Sequence, residues 1–221
     1  AAARLCARSV PEEISTRLAS LHRDNGVMLH FSARIEGASE EEHGAVLALA
    51  DGSRISGDCL LIGIGNAPET GLAEAAGLDV ANGIVVDALG RTSDPYIFAA
   101  GDATCFACAY AGGVARRESW ANAQNQAIVA ARAALGKTAD YDEVPWLWSD
   151  QYAFNIQIVG TPERSRSLLF KPGAAGGEGS WLALDDGGLA VGAVAFNAPR
   201  EIRTARKLIK GRAVVREDEW S

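Results

Sequence analysis

Tyr96-Ile-Phe-Ala-Ala-Gly-Asp102, read together with Arg116-Arg-Glu-Ser-Trp-Ala-Asn-Ala-Gln-Asn-Gln126, is the stretch that decides the fold. The short apolar run from Tyr96 to Ala100 reads as a buried strand. The Gly-Asp that follows then puts a carboxylate at the strand's carboxyl end, where open α/β sheets bind ligands. Gly101 lets backbone approach a ligand closely, and Asp102 can accept charge-assisted hydrogen bonds from a polyol. The same dipeptide also suits a plain turn capped by Asp102. Downstream, Trp120 to Leu135 reads as a helix, with Ala123, Ala127, Ala130 and Ala134 as a small-residue stripe suited to close packing. The amino end of that helix offers N–H groups and the positive end of the helix dipole to negative charge.

Towards the amino end, Glu12 to Asn25 reads as a helix, with Pro11 suiting its first turn and Asn25-Gly26 its stop. Val27 to Phe31, Ala33 to Glu36, Ala45 to Ala50 and Arg54 to Ser56 alternate as strands do, and Asp51-Gly52 joins the last two as a hairpin. The acidic Ser39-Glu-Glu-Glu42 reads as a solvated turn, and the continuous apolar run Cys59 to Ile64 as a strand covered on both faces. Leu72 to Ala76 is a short helix closed by Gly77, and Ile84 to Val86 a short strand. Towards the carboxyl end, Phe154 to Val159, Ser167 to Phe170, Trp181 to Leu184 and Leu189 to Phe196 read as antiparallel strands. Asp185-Asp-Gly-Gly188 turns the last pair, and Lys171 to Gly179 is a glycine-rich loop. The chain is therefore α/β with a small α+β domain at its end.

A length of 221 residues, with 48% hydrophobic and 22% charged residues, places the chain among ordinary globular proteins of one or two cores. No apolar run approaches the roughly 20 residues of a membrane span, and the Ala-rich start lacks the order of a signal peptide, so a cytoplasmic protein without a membrane partner is expected. A net charge of −7 argues against nucleic acid as a partner. Cys105 and Cys108 form a Cys-x-x-Cys pair, a spacing shared by redox dithiols and half-metal sites. His22, His30 and His43 lie far upstream with no ligand spacing, so the pair reads as small apolar residues and no metal is expected. The dinucleotide fingerprint Gly-x-Gly-x-x-Gly is absent: Gly63-Ile-Gly65 runs into Asn66-Ala67-Pro68, which cannot continue as the loop-to-helix element.

Six elements in order, Gly63-Ile-Gly65, Gly83-Ile-Val-Val-Asp87, Arg91-Thr92, Phe98-Ala-Ala-Gly-Asp102, Glu118-Ser-Trp-Ala-Asn-Ala-Gln-Asn-Gln126 and Pro145-Trp-Leu-Trp-Ser-Asp-Gln151, resemble the FAD-dependent, NAD(P)H-linked ferredoxin reductases of oxygenase systems. The resemblance implies a partial glutathione-reductase-like flavoprotein with two dinucleotide-binding domains. Residues 1–68 would end the NAD(P)-binding domain, 69–144 the FAD-binding domain, and 145–221 would form the carboxyl-terminal α+β domain. In that family both fingerprints lie upstream, so the chain looks like the carboxyl-terminal part of a longer reductase. By the same resemblance Asp102, following Gly101, would hold the ribityl chain of FAD and the Trp120 backbone N–H would reach the flavin ring. Glu118 would orient the nicotinamide, Trp148 would pack on the ring, and Gly63 and Gly65 would let NAD(P)H approach the backbone. Each has a plainer counterpart: a surface ion pair beside Arg116 and Arg117 for Glu118, ordinary core for Trp148, a steric turn for the glycines.

The expected activity is electron transfer from NAD(P)H through FAD to a [2Fe–2S] ferredoxin that feeds an oxygenase. The rivals are a flavoprotein with an interaction role, as in apoptosis-inducing-factor-like proteins, and a disulfide reductase relative. Arg200, Arg203, Arg206, Lys207 and Lys210 recur at helical spacing as a basic stripe that suits an acidic ferredoxin, while Ile202, Ala205, Leu208 and Ile209 face elsewhere. The same stripe also reads as a solvated helix face.

Overall fold

The computed structural model describes residues 2–42, 44–137, 141–173 and 178–220. The chain divides between Asn66 and Ala67 into two compact units.

In the first unit, α1 (Glu12–Asp24) follows Pro11, with Glu12 and Glu13 in its first turn and His22 and Arg23 in its last. Charges so placed oppose the helix dipole at both ends. Ile14, Leu18 and Ala19 form its buried face, and Ser15 Oγ donates to the Leu5 carbonyl at 2.5 Å. The strands β1 (Ile35–Glu41), β2 (Gly44–Leu49) and β3 (Arg54–Gly57) form an antiparallel meander. Asp51 closes the β2–β3 hairpin by accepting from the Ser53 amide and hydroxyl at 2.9 and 2.6 Å.

Three expectations fail here. Val27 to Phe31 forms no strand. The acidic segment is no turn: β1 runs through Glu41, fully exposed. Carboxylates are tolerated on an edge strand because no buried face has to accept them. Cys59 to Ile64 is neither a strand nor buried; Leu61 is 93% and Ile64 89% exposed. A strand needs neighbours to take its backbone hydrogen bonds, and among the described residues no strand pairs with this run.

The second unit opens with α2 (Gly71–Ala75) and a four-stranded sheet in the order of its strands: β4 (Val80–Ala81), β5 (Gly83–Val86), β6 (Thr104–Cys108) and β7 (Gly113–Arg116). Only β5 and β6 run parallel. Asp87 ends β5 by accepting from the Leu89 and Arg91 amides and from Arg91 Nε, at 2.8–2.9 Å. Burial pushes its carboxyl up, but these hydrogen bonds and the Arg91 charge outweigh that and hold it below the usual range. Thr92 Oγ1 donates to the Ile97 carbonyl. Asp87, Arg91 and Thr92 thus shape the connection that leads to Gly101.

The run Tyr96 to Ala100 is not the buried strand expected. Tyr96 is exposed and Phe98 makes only an isolated bridge with Arg91. The Asp94-Pro95 turn, with Asp94 Oδ1 accepting from the Tyr96 amide at 2.8 Å, occupies its start. The strand is β6, which begins after Asp102, so the carboxylate precedes a strand instead of ending one. Cys105 and Cys108 are buried in β6; burial pushes the Cys105 thiol up, and its Sγ donates to the Gly83 carbonyl at 3.4 Å. These are packing thiols, as β6 is built of small and β-prone residues.

Helix α3 (Trp120–Ala134) follows β7, and a five-stranded antiparallel sheet follows α3. Its strands are β8 (Trp146–Gln151), β9 (Phe154–Gly160), β10 (Ser167–Pro172), β11 (Gly179–Leu184) and β12 (Ala190–Phe196), in the order β10-β11-β12-β9-β8. Lys171 and Pro172 therefore belong to β10 and Gly179 to β11; the expected loop between them falls largely on 174–177, outside the described residues. Asp185 Oδ1 closes the β11–β12 hairpin by accepting from the Gly187 and Leu189 amides at 2.9 Å each.

One face of this sheet receives α4 (Pro199–Lys210), whose Ile202, Ala205 and Ile209 pack on Val159, Leu182, Ala193 and Ala195; α5 (Glu217–Trp220) adds Trp220. Burying each of those isoleucines contributes on the order of 1.5–3 kcal/mol. An aromatic file lies on the sheet as well, Phe170 on Trp181 at 4.8 Å and Trp181 on Phe196 at 5.6 Å. Gly192 meets the 3-10 turn Pro162–Arg164 so closely that a Cβ would fall 2.4 Å from Pro162 N.

Candidate functional site

Gly101 sits at φ +87°, a left-handed conformation that favours glycine. A Cβ there would stand 3.7 Å from Ala123, an ordinary contact, so the backbone angle rather than crowding selects the residue. The turn is tied down from both sides. The Gly101 carbonyl accepts from the Thr104 amide at 3.0 Å and hydroxyl at 2.8 Å. The Gly101 amide donates to Oε1 of Gln126 on α3 at 2.8 Å. Asp102 projects from this anchored turn with its side chain exposed to solvent. That is the arrangement a polyol hydroxyl row requires: a fixed carboxylate with its acceptor sites open.

α3 starts sharply. Ser119 is extended (φ −151°), and its Oγ accepts from the Asn122 amide at 3.2 Å. The other first-turn amides have no intrahelical acceptor, so this end can donate to a ligand. Trp120 opens the helix and is 65% exposed; Trp148 on β8 is 40% exposed. Their rings meet edge to face, with centroids 5.8 Å apart and planes at 75°. Strand alternation puts Trp146 on the same side of β8, 5.0 Å from Trp148 and donating from Nε1 to Gln157 Oε1 at 3.2 Å. Asp150 and Gln151 brace the strand: Asp150 Oδ1 accepts from Asn155 Nδ2, and Gln151 Nε2 donates to Ser149 Oγ, both at 2.7 Å.

Glu118 forms an ion pair with Arg116; the carboxylate is 40% exposed and the guanidinium largely covered. That is the ion-pair arrangement weighed for it, and it leaves one side of the carboxylate in solvent. Gly63 and Gly65 lie in the first unit, where Gly65 takes φ +95° and neither has an atom close enough to meet a Cβ. Gly101, Asp102, Glu118, Trp120 and Trp148 belong to the second unit, and within it Trp120 and Trp148 touch although 28 positions separate them.

Four residues of this neighbourhood were not singled out by sequence: Asn122, Gln126, Tyr141 and Trp146. Gln126 is 1% exposed and Asn122 is buried. Asn122 Nδ2 donates to the Arg117 carbonyl at 2.9 Å and, more weakly, to Gln126 Oε1 at 3.4 Å, while Tyr141 OH donates to Asn122 Oδ1 at 2.9 Å. Tyr141 packs against Phe106 at 5.5 Å, and burial, with the charges of Glu143 and Cys108 after it, pushes its hydroxyl up to about 12. The available signal was two amides four apart on a helix face otherwise made of alanine, since buried amides require partners.

The basic stripe on α4 is partly spent. Arg206 pairs with Glu143 at 2.5 Å, and Lys210 Nζ donates to the Asp142 carbonyl at 3.3 Å. Arg200, Arg203 and Lys207 remain exposed. Among the described residues no cluster of three or more His, Cys, Asp or Glu side chains could hold a metal ion, and no helix is long and apolar enough to cross a membrane. An open carboxylate, a helix amino end and two facing indoles do fit a ligand that joins a polyol chain to a planar ring.

The family described as pyridine nucleotide-disulphide oxidoreductase matches residues 1–127, and the one described as reductase C-terminal matches 146–221. The chain is 38% identical over 213 residues to the ferredoxin–NAD(+) reductase component of the anthranilate 1,2-dioxygenase system of Burkholderia cepacia, covering 96% of this chain and 52% of that protein. It is 36% identical over 215 residues to the corresponding component of the 3-phenylpropionate/cinnamic acid dioxygenase of Photorhabdus laumondii, covering 97% and 54%. It thus spans about half the length of the curated relatives it matches. Among solved structures, the ferredoxin reductase of the CYP199A2 system from Rhodopseudomonas palustris superposes with TM-score 0.91 at 32% identity, over 98% of this chain and 54% of that one. The reductase of the covalent putidaredoxin reductase–putidaredoxin complex gives 0.90 at 31%, over 99% and 53%. The fold is accordingly that of part, about half, of the two-dinucleotide-binding-domain flavoprotein reductases, with their carboxyl-terminal α+β domain.

Proposed function

Because the chain belongs to the pyridine nucleotide-disulphide oxidoreductase family, we propose that it is the carboxyl-terminal part of an FAD-dependent NAD(P)H:ferredoxin oxidoreductase that supplies electrons to an oxygenase. The observation that carries this reading is the contact of Trp120 with Trp148, which joins two separate motifs into one exposed aromatic face. The anchored Gly101–Asp102 turn, tied to the same helix, supports it. FAD, when bound, supplies the passage from two-electron hydride chemistry to one-electron transfer. This chain's residues hold and orient. Asp102 accepts from the ribityl hydroxyls, the Trp120 amide and the α3 dipole favour negative charge on the ring, and the Trp120 and Trp148 side chains keep water from one side of the site. Glu118, held by Arg116, orients the nicotinamide, and Gly63 and Gly65 admit the NAD(P)H backbone contact.

Residues 1–68 complete the NAD(P)-binding domain, 69–144 the FAD-binding domain, and 145–221 form the carboxyl-terminal domain. The unit boundary after Asn66 and the family match that begins at residue 146 support these limits. An acidic [2Fe–2S] ferredoxin docks through the exposed Arg200, Arg203 and Lys207 of α4, with Arg206 and Lys210 flanking, and the protein works in the cytoplasm. Stopped-flow reduction of an added [2Fe–2S] ferredoxin by the FAD-loaded protein and NADH or NADPH tests the activity. Rapid reduction is expected; flavin reduction without ferredoxin turnover would overturn the reading in favour of an interaction role.

A further inference from the structure

Gln126 touches none of the residues assigned above to cofactor or substrate contact except the backbone of Gly101, yet it is among the most deeply buried polar side chains in the protein. Its Oε1 receives the Gly101 amide at 2.8 Å, the Thr104 hydroxyl at 3.0 Å and Asn122 Nδ2 at 3.4 Å. The Thr104 proton is shared with the Gly101 carbonyl, so the Gly101 amide is the firm partner. Asn122 in turn grips the Arg117 carbonyl, one residue before Glu118, and Tyr141 fixes which way the Asn122 amide faces, because a hydroxyl that donates must meet Oδ1. A directed chain of donors therefore runs from Tyr141 through Asn122 to Gln126. Gln126 Oε1 also accepts from the Gly101 amide and Asn122 donates to the Arg117 carbonyl, so the network holds the two backbone segments that carry Asp102 and Glu118.

We propose that Gln126, with Asn122 and Tyr141 behind it, is a positioning residue that locks the Gly101–Asp102 turn and the Arg117–Glu118 segment onto α3, so that one buried network sets both arms of the flavin site. The inference rests on the flavin reading above. Physically, the turn must hold a left-handed glycine open towards a ligand, and a hydrogen bond from its amide to a fixed acceptor selects that state over a relaxed loop. Without the acceptor the buried amide turns to water and the carboxylate samples other positions, which a ligand must reverse on binding.

Two variants separate positioning from packing. Gln126→Met keeps the length and removes the acceptor; Gln126→Glu keeps an acceptor oxygen at the same place in either protonation state. In the FAD-loaded protein, Gln126→Met is expected to speed FAD release by about five- to 150-fold, the range set by an unsatisfied buried amide, and to change the visible circular dichroism of the bound flavin. Gln126→Glu is expected to restore most of the slow release. With flavin removed, Gln126→Met should raise hydrogen exchange in the peptide containing Gly101 to Thr104. Wild-type exchange in that peptide, or equal losses in both variants, overturns the inference; a complete wild-type protein, upstream residues included, that holds no flavin instead overturns the functional reading. If Gln126→Met does not fold, Tyr141→Phe interrogates the chain from its far end: faster exchange at Gly101 to Thr104 supports the network, and wild-type exchange overturns it.

Discussion

Gly101→Ala and Gly90→Ala make a matched pair. Both glycines sit at similar positive φ, +87° and +74°, and both face α3. An L-residue in this region costs about 1–2 kcal/mol. Replacing glycine also stiffens the unfolded chain, which returns about 0.4–1 kcal/mol. At Gly101 nothing else intervenes, because a Cβ would meet Ala123 Cβ at 3.7 Å; a net loss of about 0.5–1.5 kcal/mol follows. At Gly90 the same Cβ would stand 2.7 Å from Ala130 Cβ, 3.3 Å from its Cα and 3.2 Å from the Ala99 carbonyl. Neither a methyl on a helix nor a backbone oxygen can swing aside, so overpacking adds a further ~1–3 kcal/mol. All five tryptophans lie in the second unit, so urea unfolding followed by indole fluorescence reads the unit that holds both glycines. Gly90→Ala should unfold at clearly lower urea than Gly101→Ala, with an unchanged slope. Equal midpoints, or the reverse order, would refute the account of Gly101 as selected by backbone angle alone.

Asp102→Ala in the complete protein should weaken FAD retention by roughly 1.5–3 kcal/mol, the worth of hydrogen bonds to a charged group, measured by flavin release on dilution; unchanged affinity removes Asp102 from the site. Replacing Arg203 and Lys207 together by Glu should slow ferredoxin reduction steeply at low salt and less at high salt, where screening has already weakened the field. Reduction of a small artificial acceptor should proceed as in wild type, and equal losses with both acceptors return the stripe to a solvated face. Tyr141 titrates near 10 unfolded and about 12 folded, so the folded state binds its proton more tightly and its contribution to stability is complete below pH ~10 and lost as pH rises towards ~12. Tyr141→Phe should flatten the decline of stability across that window; an unchanged decline contradicts the assigned burial. Leu182→Ala, at a fully buried position in the carboxyl-terminal sheet, should cost about 2–5 kcal/mol, read as a drop in urea midpoint.

The helices α1, α3 and α4 and the carboxyl-terminal strands were legible in sequence because each buries one face and so carries its own period. Asp102, Trp120 and Trp148 stood out through motifs. Strand β6 did not, because Cys-x-x-Cys drew attention to sulfur chemistry and away from the β-prone run Thr-Cys-Phe-Ala-Cys. Conversely Tyr96 to Ala100 has the composition of a strand, but Asp94-Pro95 turns the chain just ahead of it. Cys59 to Ile64 encodes burial that local sequence cannot supply, since a central strand exists only where neighbours pair with it. Gln126 escaped for a related reason: its partner Gly101 lies 25 positions away, and the network that gives it meaning is tertiary.

Among the described residues, the four-stranded sheet of the second unit contains a single parallel pairing, β5 with β6. A parallel ladder cannot be closed by a tight turn, so residues 87–103 must first be gathered into their crossover before the first of its bonds can form. The hairpins β8–β9, β10–β11 and β11–β12 face no such delay, for their partners adjoin in sequence. During folding, then, the carboxyl-terminal sheet has a kinetic head start, and the Gly101–Asp102 turn, lying on the crossover, is among the last elements to be fixed. The turn is thus fixed on α3, through Gln126, only after the carboxyl-terminal sheet has formed.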